Sequence, residues 1–385
     1  MTAAVDPRIA RGLEIAVERG EVGVQVAAWL GEALIVDAAI GTADETSGLA
    51  ADGALFPIFS VTKAATATAV HLQAERGLLD LDAPIATCWP EYAAHGKADI
   101  TPRHVLTHRA GVPQMPPDVT PERLSDWDWI VGELAQMRPM QPPGEVSIYH
   151  SISYGYLLGE VLRRTDPQGR MPCAFIRDEL FAPIGVENFW IGLPASESPR
   201  VARLTWGPSG PSAGVARTAL REAMIPLAID VTPEVYNRRE LQAACNPAAG
   251  GIASAKGVAR FFGLLANGGA LAGRRLISEA RLRACLEPRA NYEEVDAGIG
   301  FATLLGMAGY QLGGGRTGAS PVLGTSPAVL AHGGAGGSLA WADLDSGLAV
   351  AITHNRMFGA VPADRHPFQP LADAVREVAA EATRT

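Results

Sequence analysis

Strand-like segments lie at both ends of this chain, and helix-like segments fill its middle. This arrangement constrains the fold most, because strands need partners and the two ends must supply them to each other. Val22–Leu30 and Ala33–Ile40 read as strands, with Gly31-Glu32 as a tight turn. Near the other end, Gly300–Gly306, Ala328–Ala331, Ser338–Leu344 and Gly347–Thr353 are strand-like. Helices are predicted from about Leu55–Lys63 to Gly77, over Ser151–Arg164, Pro172–Leu180, Ala255–Asn267 and Ser278–Leu286, and over about Phe368–Ala382. Thr101-Pro102 is a further helix start. The N-terminus reads as an amphipathic helix with Ile9, Leu13, Ala16 and Val17 on one face. The expected fold is α/β (α+β in organisation). Residues 1–79 and 245–385 form a discontinuous α/β domain with an antiparallel sheet, and 80–244 a mainly helical insert.

Composition narrows the function. Of 385 residues, 19% are charged and the net charge is −9, without a basic block. A nucleic-acid partner is not expected, since such proteins present a positive face to phosphates. The sequence shows neither a signal-peptide pattern nor a membrane span, so no membrane partner is expected. Cys88, Cys173, Cys245 and Cys285 are scattered without C-x-x-C spacing, which predicts buried free thiols. Both readings favour the cytoplasm.

The chain has only three lysines, Lys63, Lys97 and Lys256. One of them closes Ser60-Val-Thr-Lys63, where a helix is predicted to begin. Three residues along a helix is nearly one turn, so Lys63 can reach back to the Ser60 hydroxyl. A serine is a weak nucleophile until a base takes its proton, and a buried lysine loses part of its preference for charge. The plainer reading is a capping serine and an exposed lysine. Tyr149-His150-Ser151 follows Pro142-Pro143-Gly144, and a phenol beside a cationic lysine can act as a base. His332-Gly333-Gly334-Ala335 precedes a strand, and its small residues let a substrate lie against the backbone.

The three segments, in this order, make the chain resemble class C β-lactamases and, more closely, family VIII carboxylesterases and related acyltransferases. The resemblance also rests on Ile100–Gly111, Pro143-Gly144, Tyr156–Val161, Phe181–Gly185, Pro247–Ser254 and Gly298–Phe301. It implies Ser60 as acylated nucleophile, Lys63 as its partner and Tyr149 as the tyrosine of the second motif. It implies an oxyanion hole from the backbone N–H groups of Ser60 and Ala335, and substrate contacts from Ser151, His332, Gly333 and Gly334. Whether Lys63 or Tyr149 takes the serine proton stays open at this point. Two departures stand out. Ser151 replaces the usual asparagine, and His332 replaces the usual lysine that holds a substrate carboxylate.

The expectation is an intracellular serine esterase acting on a small-molecule ester or acyl donor, without metal or cofactor. The alternatives are an acyltransferase passing the acyl group to an alcohol or amine, a β-lactamase or cell-wall peptidase, and a binding module that keeps only the fold. Three other patterns read as accidents or packing. Gly210-Pro-Ser-Ala-Gly214 mimics a nucleophile elbow around Ser212, but prolines crowd it. Gly313–Gly318 mimics a dinucleotide loop, but Pro321 cuts off its helix. His104 and His108 are one helical turn apart without a third ligand. Trp127, Trp129 and Trp206 read as core.

Overall fold

In the computed structural model, which describes residues 5–208, 210, 217–316, 318–358 and 366–384, the two ends of the chain meet in one sheet. Strand β1 (Gly23–Leu30) turns at Gly31-Glu32 into β2 (Ala33–Asp44), followed by the short β3 (Leu49–Ala50). β1 then pairs antiparallel with the late strand β13 (Leu348–His354). With β10 (Gln311–Leu312), β11 (Val329–Gly333) and β12 (Leu339–Asp343), the order is β10-β11-β12-β13-β1-β2-β3. A smaller sheet joins β4 (Phe56–Phe59), β7 (Gly251–Ala253) and β5 (Phe189–Ile191) in the order β4-β7-β5. β6 (Thr205–Trp206) pairs with β14 (Arg356–Met357), and β8 (Ala270–Leu271) with β9 (Arg274–Arg275).

Alternation along β1 explains the layers. Val24, Val26 and Ala28 face one side, against α1 (Pro7–Glu18) and the C-terminal helix Gln369–Ala382. Asp6 caps α1 by accepting the Arg8 N–H at 2.8 Å, and Pro7 supplies a first residue with no N–H to satisfy. Ile9, Leu13 and Ala16 are buried as expected, whereas Val17 lies off the packed face and is 40% exposed. Ala27 faces the other side, whose core takes in α2 (Thr62–Glu75) and continues through the middle of the chain.

Between residues 80 and 244 helices predominate. They are α3 (Pro102–Leu106), α4 (Trp127–Gln136), α5 (Ser153–Thr165), α6 (Pro172–Phe175), α7 (Ala219–Met224), α8 (Pro233–Tyr236) and α9 (Arg239–Ala243). α6 runs on as a π-helical turn, Ile176–Phe181. Later in the chain, α10 (Ala255–Ala266) crosses the inner face of β1, β12 and β13, and α11 (Glu279–Ala284) precedes the C-terminal α12 (Gln369–Ala382). No helix among the described residues is long and apolar enough to cross a membrane.

Two expectations need correction. Gly300–Gly306 forms no strand, only isolated bridges such as Val295–Ala302 and Pro288–Gly306. Leu304 has a left-handed backbone (φ 51°), which breaks extended pairing, and residues 303–306 are all buried while Phe301 is 59% exposed, so burial does not alternate along the segment. Nor are all the cysteines free. Cys173 and Cys245 form a disulfide, with Cα atoms 5.9 Å apart across 72 residues of sequence. Tertiary structure brings α6 beside the end of α9, and no local spacing signals it. The cysteines therefore no longer argue for a reducing compartment. Cys88 and Cys285 remain unpaired.

Candidate active site

Ser60 lies on the turn between β4 and α2. The residue before it, Phe59, is held at φ 48°, a left-handed conformation that a bulky side chain adopts only under constraint. The constraint is visible. Thr62 Oγ1 donates to the Phe59 carbonyl at 2.5 Å and accepts the Gly251 N–H of the neighbouring strand at 2.9 Å. Nor is the Ser60 hydroxyl used as a cap, since Val61 occupies the N-cap and α2 has no side-chain cap.

Lys63 is fully buried. Its Nζ lies 3.2 Å from Ser60 Oγ, 2.8 Å from the Ser151 carbonyl and 3.1 Å from the Ala248 carbonyl. A neutral amine has two N–H donors and one lone pair. The two carbonyls use both donors, which turns the lone pair toward the serine hydroxyl. Burial pushes the lysine well below its ordinary 10.5, toward the neutral form this arrangement requires.

Tyr149 arrives on the loop ahead of α5. Its phenol lies close to Ser60, and its ring centroid is 4.9 Å from Lys63 Nζ. Burial holds the phenol above its usual value, outweighing the opposing influence of Ser60, and the nearby Asp296 carboxylate adds to the rise. The ionised tyrosine is therefore disfavoured, and the neutral lysine is favoured.

The third motif ends β11. His332 is buried, its Nδ1 lies 2.9 Å from the Gly333 carbonyl, and its Nε2 has no partner among the described residues. Burial lowers it to about 3, which favours the neutral ring. Gly333 donates its N–H to Gln311 Oε1 at 2.8 Å. Gly334 donates to the Ser338 carbonyl on the opposite edge at 2.7 Å and is extended (φ −104°, ψ 157°). Extended backbone alternates, so the Ala335 N–H points to the same edge as that of Gly333. A Cβ at Gly334 would collide with the Ile58 carbonyl, so only glycine lets this strand end lie against β4, two residues from Ser60. Gly333, Gly334, Thr303 and Gln311 line a cavity of about 230 Å³.

Ser60, Lys63, Tyr149 and Ser151 thus converge. Ser151 contributes its main-chain carbonyl, which its side-chain identity could not have revealed. Sequence reasoning gives no site role to Ala248, although its segment Pro247–Ser254 carries part of the resemblance. Thr66 Oγ1 holds that segment by donating to the Pro247 carbonyl at 2.6 Å, and Gly155 of α5 lets it approach, because a Cβ there would meet the Ala248 nitrogen. Asp296 is a second residue that sequence reasoning misses. Its carboxylate accepts the N–H groups of Gly298 and Ile299 at 2.9 and 3.3 Å.

Of the look-alike motifs, the one around Ser212 lies outside the described residues. Gly314, Gly315 and Gly318 take left-handed turns, followed only by the single 3-10 turn Pro321–Leu323 and not by the α-helix a dinucleotide loop requires. His104 Nδ1 accepts the Thr101 N–H in a capping box, and Trp127 is core, donating to Glu160 at 2.8 Å.

Comparison with known proteins agrees with this geometry. The family model described as Beta-lactamase matches residues 3–373. The chain is 30% identical to the esterase/beta-lactamase LipL of Mycobacterium tuberculosis, over 94% of this chain and 84% of that protein. Among solved structures, it is similar to a penicillin-binding protein homolog from Caulobacter crescentus (31% identity, TM-score 0.83, 98% of this chain and 99% of the other). It is also similar to a family VIII carboxylesterase (27% identity, TM-score 0.83, 97% and 99% covered). With a family match across nearly its whole length, the chain belongs to the beta-lactamase family of serine hydrolases.

Proposed function

We propose that this chain is a serine carboxylesterase that works through an acyl-Ser60 intermediate. The observation that carries this reading is the buried Lys63 Nζ, 2.8 and 3.1 Å from the Ser151 and Ala248 carbonyls and 3.2 Å from Ser60 Oγ, where the neutral amine can spend both donors on the carbonyls and offer its lone pair to the serine. Lys63 takes the Ser60 proton as Oγ attacks the ester carbonyl. The N–H groups of Ser60 and Ala335 receive the oxyanion. Tyr149 gives its proton to the departing alkoxide and recovers one from the Lys63 ammonium. The acyl-enzyme and free alcohol remain, and water completes the cycle along the same path.

Esters are favoured over lactams because His332 is neutral and offers no positive charge to a substrate carboxylate. The relatives named as esterases support the same choice. An alcohol or amine acceptor in place of water would give acyl transfer from the same intermediate.

The test is intact-mass spectrometry after mixing with a slowly deacylated aryl ester. One acyl group should appear on Ser60 and be absent in S60A. An adduct on Ser212, or none on the wild type, would refute the assignment.

A further inference from the structure

His108 sits at the end of α3 with a left-handed backbone (φ 58°), a conformation in which histidine is enriched. From there two hydrogen bonds reach the loop that carries Tyr149. The Ile148 N–H donates to the His108 carbonyl at 3.1 Å, and the His150 N–H donates to His108 Nδ1 at 3.0 Å. The two bonds bracket Tyr149. The N–H groups on either side of it are thus both held by one residue. The His108 ring also lies against the phenol, with centroids 4.3 Å apart.

We infer that His108 is a positioning residue: its Nδ1 and main-chain carbonyl hold the Tyr149 loop so that the phenol meets Ser60. The inference rests on Tyr149 acting as proton donor to the leaving group. Nδ1 can accept an N–H only while it carries no proton, which places the ring proton on Nε2. The surroundings enforce that state. Burial, with the Arg289 guanidinium nearby, holds His108 well below its ordinary 6.5. A second proton would set Nδ1–H against the His150 N–H and release the loop. Displacing a reacting group by about 1 Å can cost on the order of a hundredfold in rate.

The experiment compares H108N, H108F, H108G and Y149F on a short aryl ester, with melting temperatures recorded. Asparagine tolerates the left-handed backbone and offers Oδ1 in place of Nδ1. Phenylalanine keeps a ring and loses the acceptor. Glycine adopts the backbone freely and lacks both, so it answers the question if H108F does not fold. In H108F and H108G, kcat should fall about tenfold to a hundredfold with KM within about twofold, and H108N should stay within about fivefold of wild type. Wild-type kcat in H108G, or an H108N loss as large as that of H108G at similar melting temperatures, would overturn the inference. If Y149F alone kept full activity, the role assigned to Tyr149 would fail instead, whatever the His108 variants did.

Discussion

The main-chain carbonyl of Ala248 lies 3.1 Å from Nζ of Lys63, although 185 residues separate them in sequence. Among the described residues no carboxylate bonds Lys63, whose acceptors are neutral. Burial without such a partner lowers its pKa well below 10.5.

That gives the pH profile a definite sign. The ammonium form of Lys63 cannot take the Ser60 proton, so kcat/KM should rise with pH as the lysine loses its proton. The ascending limb should level off well below pH 10.5. Rate measurements on an aryl ester whose alcohol does not titrate in this range check it. A limb still climbing at pH 10.5 would mean that Lys63 keeps its proton and is not the base.

Lys63 contacts Ser60 and Tyr149 lies beside them both, and in the proposed mechanism the two serve one proton path. K63A and Y149F should each lower kcat about a hundredfold to ten-thousandfold. The double variant should lose far less than the product of the two, because residues acting as a unit are not additive. A double-mutant cycle on kcat, with folding checked by circular dichroism, decides this. Multiplicative losses would separate the two roles.

Short-chain aryl esters should be cleaved readily and a chromogenic cephalosporin poorly. Lactam substrates carry a carboxylate, and the position that usually answers it with lysine holds a neutral, buried imidazole. The ratio of kcat/KM for the two substrates is the readout. A ratio at or below one would reverse the assignment.

Stability should weaken in mild acid, before ordinary carboxylates titrate. Burial lowers His71 and His150 to about 4 and His332 to about 3, and His108 also falls well below 6.5. Unfolded histidines take protons near 6.5 while these folded ones do not. Their contribution is therefore full above about pH 6.5 and is lost as pH falls toward the folded values. Each costs about 1.4 kcal/mol per pH unit inside that window. Glu21 and Asp296, raised by burial, oppose the trend but are fewer. Urea midpoints at pH 7.5, 6.0 and 5.0 should fall in that order. A flat series would show that the histidines are protonated in the folded state too.

The closeness of Ser60 and Lys63 was legible because three residues separate them where a turn enters α2, and a turn is a local rule. The tyrosine and the glycine-rich strand end were legible only through resemblance, because nothing local ties residue 149 or 332 to residue 60. Ala248 and the Ser151 carbonyl act through main-chain atoms, which side-chain identity does not encode. His108 reads as packing from its spacing. Its real partner is a backbone N–H 42 residues away. The Cys173–Cys245 bond escaped for the same reason, being created by tertiary contact alone. The false strand at 300–306 shows the opposite failure, in which apolar residues mimic an alternation that a left-handed Leu304 interrupts.

The pairing of β1 with β13 has a consequence for synthesis. During translation, residues 23–30 leave the ribosome more than 300 residues before their partner, 348–354. Until then the first hairpin has one open edge and an apolar strand that later becomes almost wholly buried. Such an edge invites pairing with other chains, and contacts this distant in sequence form slowly. The first hairpin therefore stays an unfinished sheet for most of elongation, and a chain ended before residue 348 lacks the strand that closes its open edge.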